Sequence, residues 1–388
     1  MRKLRTLLPV SVVLVLTLGA ATAYRPLASR IALTPPMGWN SWNHFGCNVS
    51  EELIRETADA MVKSGMRDAG YKYVVIDDCW QVSRDPSGTI VADPQRFAHG
   101  IKALADYVHS KGLKFGIYTD AGTKTCQGRP GTLGFEDRDA RTYASWGVDY
   151  VKEDWCNANG LNAPTQYKKF RAALDRTGRQ IVLSICEWGI NQPWDWAPAV
   201  GNLWRTTDDI SDNWGSMLSN LDQSAQHSTV ARPGAWNDPD MLEIGNGGMT
   251  ADEYRAHMSL WAMQAAPLIA GNDLRSMSEE TKSILTNPEV IAVDQDSLGA
   301  QGTLVESGPP ERQVWSKPLR DGSRAVVLLN RSTSPDSINV SFRRAGIVTD
   351  SATVRDLWAH TDLGRHRRGY TAFIPGHAAV MLRIRAIH

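Results

Sequence analysis

The sequence predicts an α/β protein, a (β/α)8 barrel of the TIM type followed by an antiparallel β-sandwich. Between residues 36 and 296, short β-rich runs alternate with helical stretches in eight strand-then-helix units, and after about residue 303 the helical stretches disappear. Apolar strands joined by helical crossovers indicate a parallel sheet, and eight such units over about 270 residues indicate a closed barrel. A doubly wound open sheet is the structural alternative, but it usually needs fewer units.

Each predicted barrel strand is a short, largely apolar run. The helix predicted over residues 97–112 has an apolar stripe at Ile101, Leu104, Ala105 and Val108, and further helices are predicted near 135–146 and over 164–178. The eight strands are predicted in MGWNSW (37–42), KYVVIDD (72–78), KFGIYTD (114–120), DYVKED (149–154), QIVLSICE (180–187), NLWRTTDD (202–209), GAWNDPDM (234–241) and APLIAG (266–271).

The C-terminal part is predicted to contain strands separated by turns. Strand-like runs are RQVWSKPL, SRAVVLLN, DSINVSF, ATVRDLW and AAVMLRI. This texture predicts an antiparallel β domain over residues 303–388 that supports the barrel by packing and carries no clear catalytic cluster. The catalytic barrel is predicted over residues 24–302.

The first 23 residues are predicted to be a secretory signal peptide. Arg2, Lys3 and Arg5 precede an apolar stretch over residues 7–18 and an A-x-A cleavage site at 21–23. A membrane anchor is the alternative, but the apolar stretch is shorter than the roughly 20 residues that a span needs. The mature protein is therefore expected to be secreted, to the extracellular space or a periplasm, with no membrane association.

Composition excludes several classes of partner and cofactor. Lys plus Arg and Asp plus Glu each number 42, so neither nucleic acid nor an anionic membrane is expected as a main partner. The sequence has no CxxC, HExxH or HxH, no Walker loop and no GxGxxG after a strand, so no metal and no cofactor are expected. The expected partner is a small-molecule or saccharide substrate, and the expected oligomeric state is a monomer or a homodimer.

Charged and aromatic residues occupy the ends of the predicted strands, where (β/α)8 barrels place their active sites. Any one of them is explained at least as well as a helix cap or turn former. Seven consecutive strand ends with such residues instead indicate a ring of side chains around a single ligand. These residues are Trp42, Asp77, Asp78, Tyr118, Asp120, Lys152, Asp154, Glu187, Arg205, Asp209, Asp238 and Asp240.

The five cysteines predict two disulfides and one free thiol. Cys47 and Cys79 follow the first two strands, and Cys126 and Cys156 follow the next two. Because neighbouring barrel loops lie close together, we expect the bridges Cys47–Cys79 and Cys126–Cys156, each stabilising by about 3–4 kcal/mol if unstrained. Cys186 lies inside a strand and is expected to be buried and free.

Seven motifs resemble those of the family 27 glycoside hydrolases, the α-galactosidase or melibiase family. They are TPPMGWNSWNHFGCNVSE, YVVIDDCW, FGIYTDAGTKTC, YVKEDWCN, LSICEWG, LWRTTDDI and AWNDPDML, in order from about residue 31 to 300. The resemblance implies a (β/α)8 barrel with an antiparallel C-terminal domain. It also implies hydrolysis of terminal α-D-galactosyl residues from oligosaccharides, galactomannans or glycoconjugates, with retention and a covalent glycosyl-aspartate intermediate.

The resemblance implies two catalytic aspartates. The family's Lys-x-Asp motif falls on Lys152 and Asp154, the nucleophile, and its Arg-x-x-x-Asp motif falls on Arg205 and Asp209, the acid/base. Strand parity favours Asp209 over Asp208, because residues four apart share a face. We expect Asp154 to be ionised beside Lys152 and Asp209 to hold its proton, with the two carboxyl groups about 5–5.5 Å apart.

The resemblance also implies a galactose pocket. Asp77 and Asp78 would accept hydrogen bonds from O4 and O6, and Glu187 with Trp188 would favour a free O2 over an N-acetyl group. Glu153 is expected, by parity, to face away from the sugar. The implied substrate-binding residues are Trp42, Asp77, Asp78, Tyr118, Cys126, Lys152, Glu187, Trp188, Arg205 and Asp240.

Three other functions remain open at this point. A β-L-arabinopyranosidase is the nearest, because that sugar is galactose without its C6 group. An α-N-acetylgalactosaminidase is disfavoured by Glu187. A galactoside-binding protein without catalysis is disfavoured by the presence of both aspartates.

Overall fold

The computed structural model describes residues 31–309 and 311–387. The predicted signal peptide, residues 1–23, lies outside the described residues. No helix in the described part of the chain has the length and hydropathy needed to span a bilayer.

Eight parallel strands form the barrel, in the order β10-β1-β2-β5-β6-β7-β8-β9. Strands β9 and β10 are joined through Leu242, which forms a parallel bridge with Ala270 and donates its N–H to the Ile269 carbonyl (2.8 Å). This bridge closes the ring, so the barrel prediction is confirmed. The strands up to residue 270 are β1 (Met37–Asn40), β2 (Tyr73–Ile76), β3 (Gln81–Arg84), β4 (Ile90–Ala92), β5 (Lys114–Asp120), β6 (Tyr150–Asp154), β7 (Val182–Cys186), β8 (Leu203–Arg205), β9 (Trp236–Asp238) and β10 (Leu268–Ala270).

The helices surround the barrel, and several begin at capping residues visible in the sequence. Asn162 caps α6 by accepting from the Thr165 N–H, and Thr250 and Glu253 form a capping box at the start of α9. The antiparallel pair β3–β4 is an additional hairpin between β2 and α4. The helices are α1 (Trp42–Phe45), α2 (Glu51–Lys63), α3 (Met66–Ala69), α4 (Gly100–Ser110), α5 (Glu136–Trp146), α6 (Ala163–Arg176), α7 (Pro193–Trp196), α8 (Trp214–Ala225), α9 (Ala251–Gln264), α10 (Glu279–Leu285) and α11 (Pro288–Asp294).

Strand alternation divides each barrel strand between two environments. On β6, Tyr150 packs inside the barrel with Tyr73 and Trp236, whereas Val151 joins the core between strands and helices. Lys152 and Asp154 share the face of Tyr150 and line the cavity above it. A strand with two buried faces therefore delivers charged groups only where it leaves the barrel.

The C-terminal domain is an antiparallel β-sandwich. Its six-stranded sheet has the order β11-β12-β13-β18-β15-β16 and faces the pair β14–β17. Its core includes Val326, Leu328, Val340 and Ile374. The strands are β11 (Thr303–Gly308), β12 (Arg312–Pro318), β13 (Arg324–Asn330), β14 (Asp336–Ser341), β15 (Ser351–Asp356), β16 (Thr361–Arg367), β17 (Gly369–Ile374) and β18 (Ala378–Ala386).

Helix α9 lies between the two domains and is buried on all sides from Ala256 to Gln264. On the sandwich side, Lys317 Nζ donates to the Ala262 carbonyl (2.9 Å), and the Trp358 indole donates to Ser259 Oγ (2.9 Å). A helix without an exposed face needs a partner on each side. The sandwich supplies one of them, as the predicted packing role requires.

Candidate active site

A cavity of about 430 Å³ lies at the C-terminal ends of the barrel strands, within the size range of small-molecule sites. All the predicted catalytic and substrate-binding residues line it except Glu187. The predicted residues that line it are Trp42, Asp77, Asp78, Tyr118, Cys126, Lys152, Asp154, Trp188, Arg205, Asp209 and Asp240.

Two adjacent acids after β2 form one wall. Lys152 Nζ lies 2.9 Å from Asp77 Oδ2, and Asn40 Nδ2 donates to the same oxygen (2.7 Å). Asp78 instead accepts the backbone N–H groups of Cys79 (2.7 Å) and Gln127 (3.0 Å). Burial raises the pKa of Asp78, against the effect of these backbone donors. Both carboxylates are therefore fixed before any ligand binds.

Asp154 is held by two donors at the end of β6. The Trp155 N–H donates to Oδ1 (2.9 Å), and the Tyr118 hydroxyl donates to Oδ2 (3.0 Å). Burial raises the pKa of Asp154 to about 6, although the nearby charge of Lys152 acts in the opposite direction. Asp154 is therefore a buried, oriented carboxyl group that ionises in the weakly acidic range.

Asp209 lies in the loop after β8, and its side chain is 68% exposed. Arg205 Nη1 lies 3.0 Å from Asp209 Oδ1, and Arg205 Nη2 lies 3.2 Å from Asp240 Oδ2. Although the side chain is largely exposed, the surrounding protein desolvates its carboxyl group and raises the pKa of Asp209; the charges of Arg205 and Lys152 outweigh this effect, and the pKa is lowered. One guanidinium thus links the two acids on this side of the cavity.

The predicted order of the two pKa values is reversed in the structure, although Asp154, with a pKa of about 6, is still ionised at neutral pH. The pKa of Asp154 is raised, and that of Asp209 is lowered. The prediction counted charge neighbours but not burial. Lys152 is paired directly with Asp77, whereas Arg205 is paired directly with Asp209.

Two further details differ from the sequence analysis. Glu187 does not line the cavity, and its Oε2 accepts from both the backbone and the side-chain amide of Asn191 (2.6 and 2.7 Å). Strand β8 ends at Arg205, so parity does not apply to Asp208 and Asp209. Of these two, Asp209 lines the cavity.

Four residues shortly after barrel strands have backbones in the left-handed region. Cys79, Asn157, Trp188 and Asp240 have φ values of 77°, 50°, 54° and 83°, and they follow β2, β6, β7 and β9. Such residues cost about 1–2 kcal/mol each and cluster at functional sites. At Asp240 this backbone conformation is stabilised by Trp261, whose indole N–H donates to the Asp240 carbonyl (2.8 Å).

Both predicted disulfides are present, and they brace this end of the barrel. Cys47–Cys79 and Cys126–Cys156 are bonded, and Cys186 is free and buried. Asp120 holds the second bridge by accepting from the Cys156 N–H (2.8 Å). Burial raises the pKa of Asp120 to about 8.

One group of possible metal ligands was found among the described residues, namely Asp120, Cys126, Asp154 and Cys156. Its two sulfur atoms are bonded to each other, so the group offers no thiolate.

As strand parity predicts, Glu153 faces away from the cavity, and it accepts from the Thr132 hydroxyl (3.2 Å).

Sequence reasoning missed the residues that line the mouth of the cavity. They lie in the short helix α1 directly after β1 and in the loops that follow β8 and β9, and they have no periodic pattern. A polar run directly after a recognised strand end was the available signal. The missed residues are Asn43, His44, Ile210, Ser211, Asp212, Met241, Glu243 and Asn246.

Comparison with known proteins gives a family match for each of the two domains. A family profile described as "Alpha galactosidase A" matches residues 34–296. A second, described as "Alpha galactosidase C-terminal beta sandwich domain", matches residues 310–384.

Similar proteins cover nearly the whole chain. A probable alpha-galactosidase from Dictyostelium discoideum is 50% identical over 97% of this chain and 99% of its own length. The structure of alpha-galactosidase I from Mortierella vinacea has a TM-score of 0.89 at 40% identity, covering 92% of this chain and 98% of its own. A β-L-arabinopyranosidase from Geobacillus stearothermophilus has a TM-score of 0.85 at 29% identity, covering 92% and 98%.

Proposed function

Because the chain belongs to the alpha-galactosidase family of glycoside hydrolases, we propose that it removes terminal α-D-galactosyl residues from galactosides by double displacement. The observation that carries the proposal is the presence of Asp154 and Asp209 in one cavity, with Asp154 held by two donors. Retaining glycosidases need one carboxylate that attacks and one carboxylic acid that protonates the leaving group.

In the first step, an Asp154 oxygen attacks C1 of the galactosyl unit from the face opposite the leaving group. Asp209 gives its proton to the glycosidic oxygen, and the C1–O bond breaks as the covalent ester forms. In the second step, the ionised Asp209 takes a proton from water. The resulting hydroxide equivalent attacks C1 and releases Asp154, so galactose leaves with its original anomeric configuration.

The walls supply recognition of the galactosyl group. Asp77 and Asp78 offer carboxylate oxygens for O4 and O6, and glucose, with O4 in the other orientation, would lose a hydrogen bond to one of these acids. Arg205 and Asp240 bind O2 in this proposal. Since Trp188 lines the cavity and Glu187 does not, discrimination against an N-acetyl group at C2 rests on the bulk of Trp188 in this proposal.

The enzyme is expected to be most active at acidic pH. The reaction needs one proton on the pair, and the pKa of Asp154 is about 6, while that of Asp209 is lowered from 3.8. Above about pH 6 the pair loses its last proton, and kcat/KM should fall about tenfold per pH unit. Below the pKa of Asp209 both acids are protonated, Asp154 cannot attack, and kcat/KM should fall again.

The measurement is kcat/KM for p-nitrophenyl α-galactoside across the acidic and neutral range, with circular dichroism at each pH to separate inactivation from unfolding. An optimum above neutrality would contradict the requirement that Asp154 and Asp209 together hold one proton in the active enzyme.

The nearest alternative is a β-L-arabinopyranosidase, since a solved relative has that name. We expect p-nitrophenyl α-galactoside to be hydrolysed with a higher kcat/KM than p-nitrophenyl β-L-arabinopyranoside. The pentoside has no O6, so it makes one hydrogen bond to a wall carboxylate fewer than the galactoside does, and this costs about 1–3 kcal/mol, or roughly 5- to 150-fold. The two rates, measured on one preparation, check the proposal.

The variant Asp78→Ala sharpens this comparison. It should reduce kcat/KM for the galactoside more than for the arabinopyranoside, because only the galactoside has an O6 hydroxyl that can bind the Asp78 carboxylate. A preference of the wild type for the pentoside would overturn the substrate assignment. Binding of galactosides without turnover would favour the non-catalytic alternative.

Export from the cytosol is a further part of the proposal. Two disulfides are typical of oxidising compartments. The basic and then apolar composition of residues 1–23 is typical of a secretory signal.

A further inference from the structure

The balance of charge in the whole chain conceals a separation of charge between its two domains. Residues 303–388 contain 13 Lys and Arg residues against 7 Asp and Glu, whereas residues 24–302 contain 26 against 35. Of the 13 cationic residues in the sandwich, 12 are arginines, and the single lysine, Lys317, is buried. The sandwich therefore has an excess of positive charge in the form of guanidinium groups, and the barrel has an excess of negative charge.

Most of these arginines lie at one end of the sandwich, here called the basic end. The register of the strands places the starts of β13, β15 and β17 beside the ends of β14, β16 and β18. The turn between β12 and β13 lies at the same end. The arginines of the basic end are Arg320, Arg324, Arg343, Arg344, Arg365, Arg367, Arg368, Arg383 and Arg385.

The acidic residues at this end leave most of that charge unpaired. Asp321 contacts both Arg383 and Arg385, so one carboxylate serves two guanidinium groups. The other ion pairs here are long, because Arg344 and Arg368 each lie 3.7 Å from a carboxylate oxygen. Among the described residues, the arginines of the basic end without an ion pair or a side-chain hydrogen bond are Arg320, Arg324, Arg343, Arg365 and Arg367.

The arginines of β16 belong to a flat array of polar side chains. Arg365 pairs with Thr353 across the sheet, and Thr353 pairs with Arg385, so the three side chains lie side by side on one face. Arg367 lies next to Ser351 on the same face, which is turned away from the sandwich core. Neighbouring strands are about 4.8 Å apart. Guanidinium and hydroxyl groups therefore alternate across three strands.

A cavity of about 620 Å³ continues this array around the end of the sandwich. Arg343 and Arg368 line it, and Arg368 follows Arg367 directly. The backbone of Arg368 is fixed on both sides, because its N–H donates to the Asp350 carbonyl (2.7 Å) and its carbonyl accepts from the Phe342 N–H (2.9 Å). The guanidinium groups at this corner are thus attached to an ordered backbone.

Protection of a sheet edge explains only part of this pattern. Strand β16 is the edge of the six-stranded sheet, and charged side chains on an edge prevent pairing with another chain. This accounts for Arg365 and Arg367. It does not account for Arg324 and Arg385, whose strands β13 and β18 lie inside the sheet, or for Arg343, which follows β14.

The chemistry of the basic end favours a polymer that carries carboxylate groups. The planar guanidinium fork of arginine matches a carboxylate with two parallel hydrogen bonds, which the ammonium group of lysine cannot do. Membrane surfaces and single-stranded nucleic acids are usually contacted by exposed aromatic rings as well. Among the described residues of the basic end, the exposed large hydrophobic side chain is that of Val348, and no exposed aromatic ring is present.

We propose that the basic end binds an acidic polysaccharide, whose carboxylates pair with the guanidinium groups and whose hydroxyl groups bond to Ser351 and Thr353. This binding does not depend on the proposed α-galactosidase function. The barrel carries the opposite net charge and repels the same polymer. The polysaccharide therefore holds the protein by its sandwich and leaves the cavity of the barrel free.

The test measures the affinity of the full-length protein for polygalacturonate, with neutral dextran as the control polymer. The wild type should bind polygalacturonate, and its affinity should fall roughly tenfold or more when the salt concentration rises from about 20 mM to about 150 mM, because exposed charges are screened. Dextran should not bind at either salt concentration. Absence of polygalacturonate binding at low salt would overturn the proposal.

A triple variant tests whether the basic end carries this binding. The combined changes Arg343→Gln, Arg365→Gln and Arg367→Gln should lower the affinity for polygalacturonate roughly tenfold or more, the effect of three lost exposed charge pairs. The value of kcat/KM for p-nitrophenyl α-galactoside should stay at the wild-type level, because none of the three residues lines the cavity of the barrel. An unchanged affinity would overturn the proposal.

The matched control removes the same number of positive charges from exposed positions on α5 and α6 of the barrel. It combines Arg138→Gln, Arg141→Gln and Lys168→Gln. We expect its affinity for polygalacturonate to stay within about twofold of the wild type, because these positions belong to the other domain. Equal losses in the two triple variants would show a nonspecific effect of net charge and overturn the proposal.

Two measurements on the wild type decide between partners even where a variant does not fold. Vesicles that contain phosphatidylserine should bind more weakly than polygalacturonate, and light scattering at low salt should show no self-association. Tighter binding to the vesicles would assign the basic end to a membrane surface. Self-association that salt reverses would assign it to the acidic barrel of a second copy of this chain. Either result would overturn the polysaccharide proposal.

Discussion

Replacing Asp154 with glycine is expected to lower kcat on p-nitrophenyl α-galactoside by a factor on the order of 10^4 to 10^6, because no covalent intermediate can form. Sodium azide should restore turnover. The small anion can occupy the space left by the carboxylate and attack C1 from the same face, while Asp209 still protonates the leaving group. The product is β-galactosyl azide, of opposite configuration to the substrate, and proton NMR of the reaction mixture identifies it.

The matched control for this variant is Glu153→Gln, one residue away on β6. Glu153 faces away from the cavity and is bonded to Thr132, and burial raises its pKa well above the usual range. A raised pKa favours the neutral, protonated form, and glutamine is close to that form in shape and charge. We expect Glu153→Gln to keep activity within about threefold of the wild type. No azide rescue, or an α-azide product, would contradict the role of Asp154.

Replacing Asp209 with asparagine is expected to give the second largest loss, and the loss should depend on the leaving group. A sugar leaving group needs the proton, so kcat/KM for raffinose should fall by about 10^2 to 10^4, the usual contribution of a general acid. p-Nitrophenolate leaves readily without a proton, so kcat/KM for the aryl galactoside should fall much less. Steady-state kinetics on the two substrates give this difference directly.

The same variant should accumulate the galactosyl-enzyme, since water is no longer activated. Azide needs no general base, so it should release the intermediate as α-galactosyl azide, of retained configuration. Asp208→Asn is the control, because Asp208 is the exposed neighbour of Asp209 and does not line the cavity. Equal losses on both substrates, or an equal effect of the Asp208 change, would rule out Asp209 as the acid/base.

The parts of the fold that depend on local periodicity could be predicted from the sequence. The alternation along β6 placed Lys152 and Asp154 on the cavity side and Glu153 opposite, and the order of the strands paired Cys126 with Cys156. Strand β16 was missed, because its residues Thr361–Arg367 are almost all partly or fully exposed and polar, which is typical of an edge strand.

The parts of the site that depend on long-range packing could not be predicted. Strand length is one example, because β8 ends at Arg205 and leaves Asp209 in a loop whose path no periodicity describes. The ionisation of Asp154 is another, since burial raises its pKa more than Lys152 lowers it. Glu187 is a third example, because its side chain is bonded to Asn191 and does not line the cavity.

The burial of α9 on both sides has a consequence for engineered proteins in which the barrel is separated from the sandwich. Trp261 of α9 supports the Asp240 carbonyl, and one turn of the same helix is held from the other domain by Lys317 and Trp358. A truncation that keeps only the barrel would expose the outer surface of α9 to water and loosen a wall of the sugar pocket. The C-terminal sandwich thus supports this wall through α9, and we expect domain swaps to succeed only when the barrel and the sandwich are kept together.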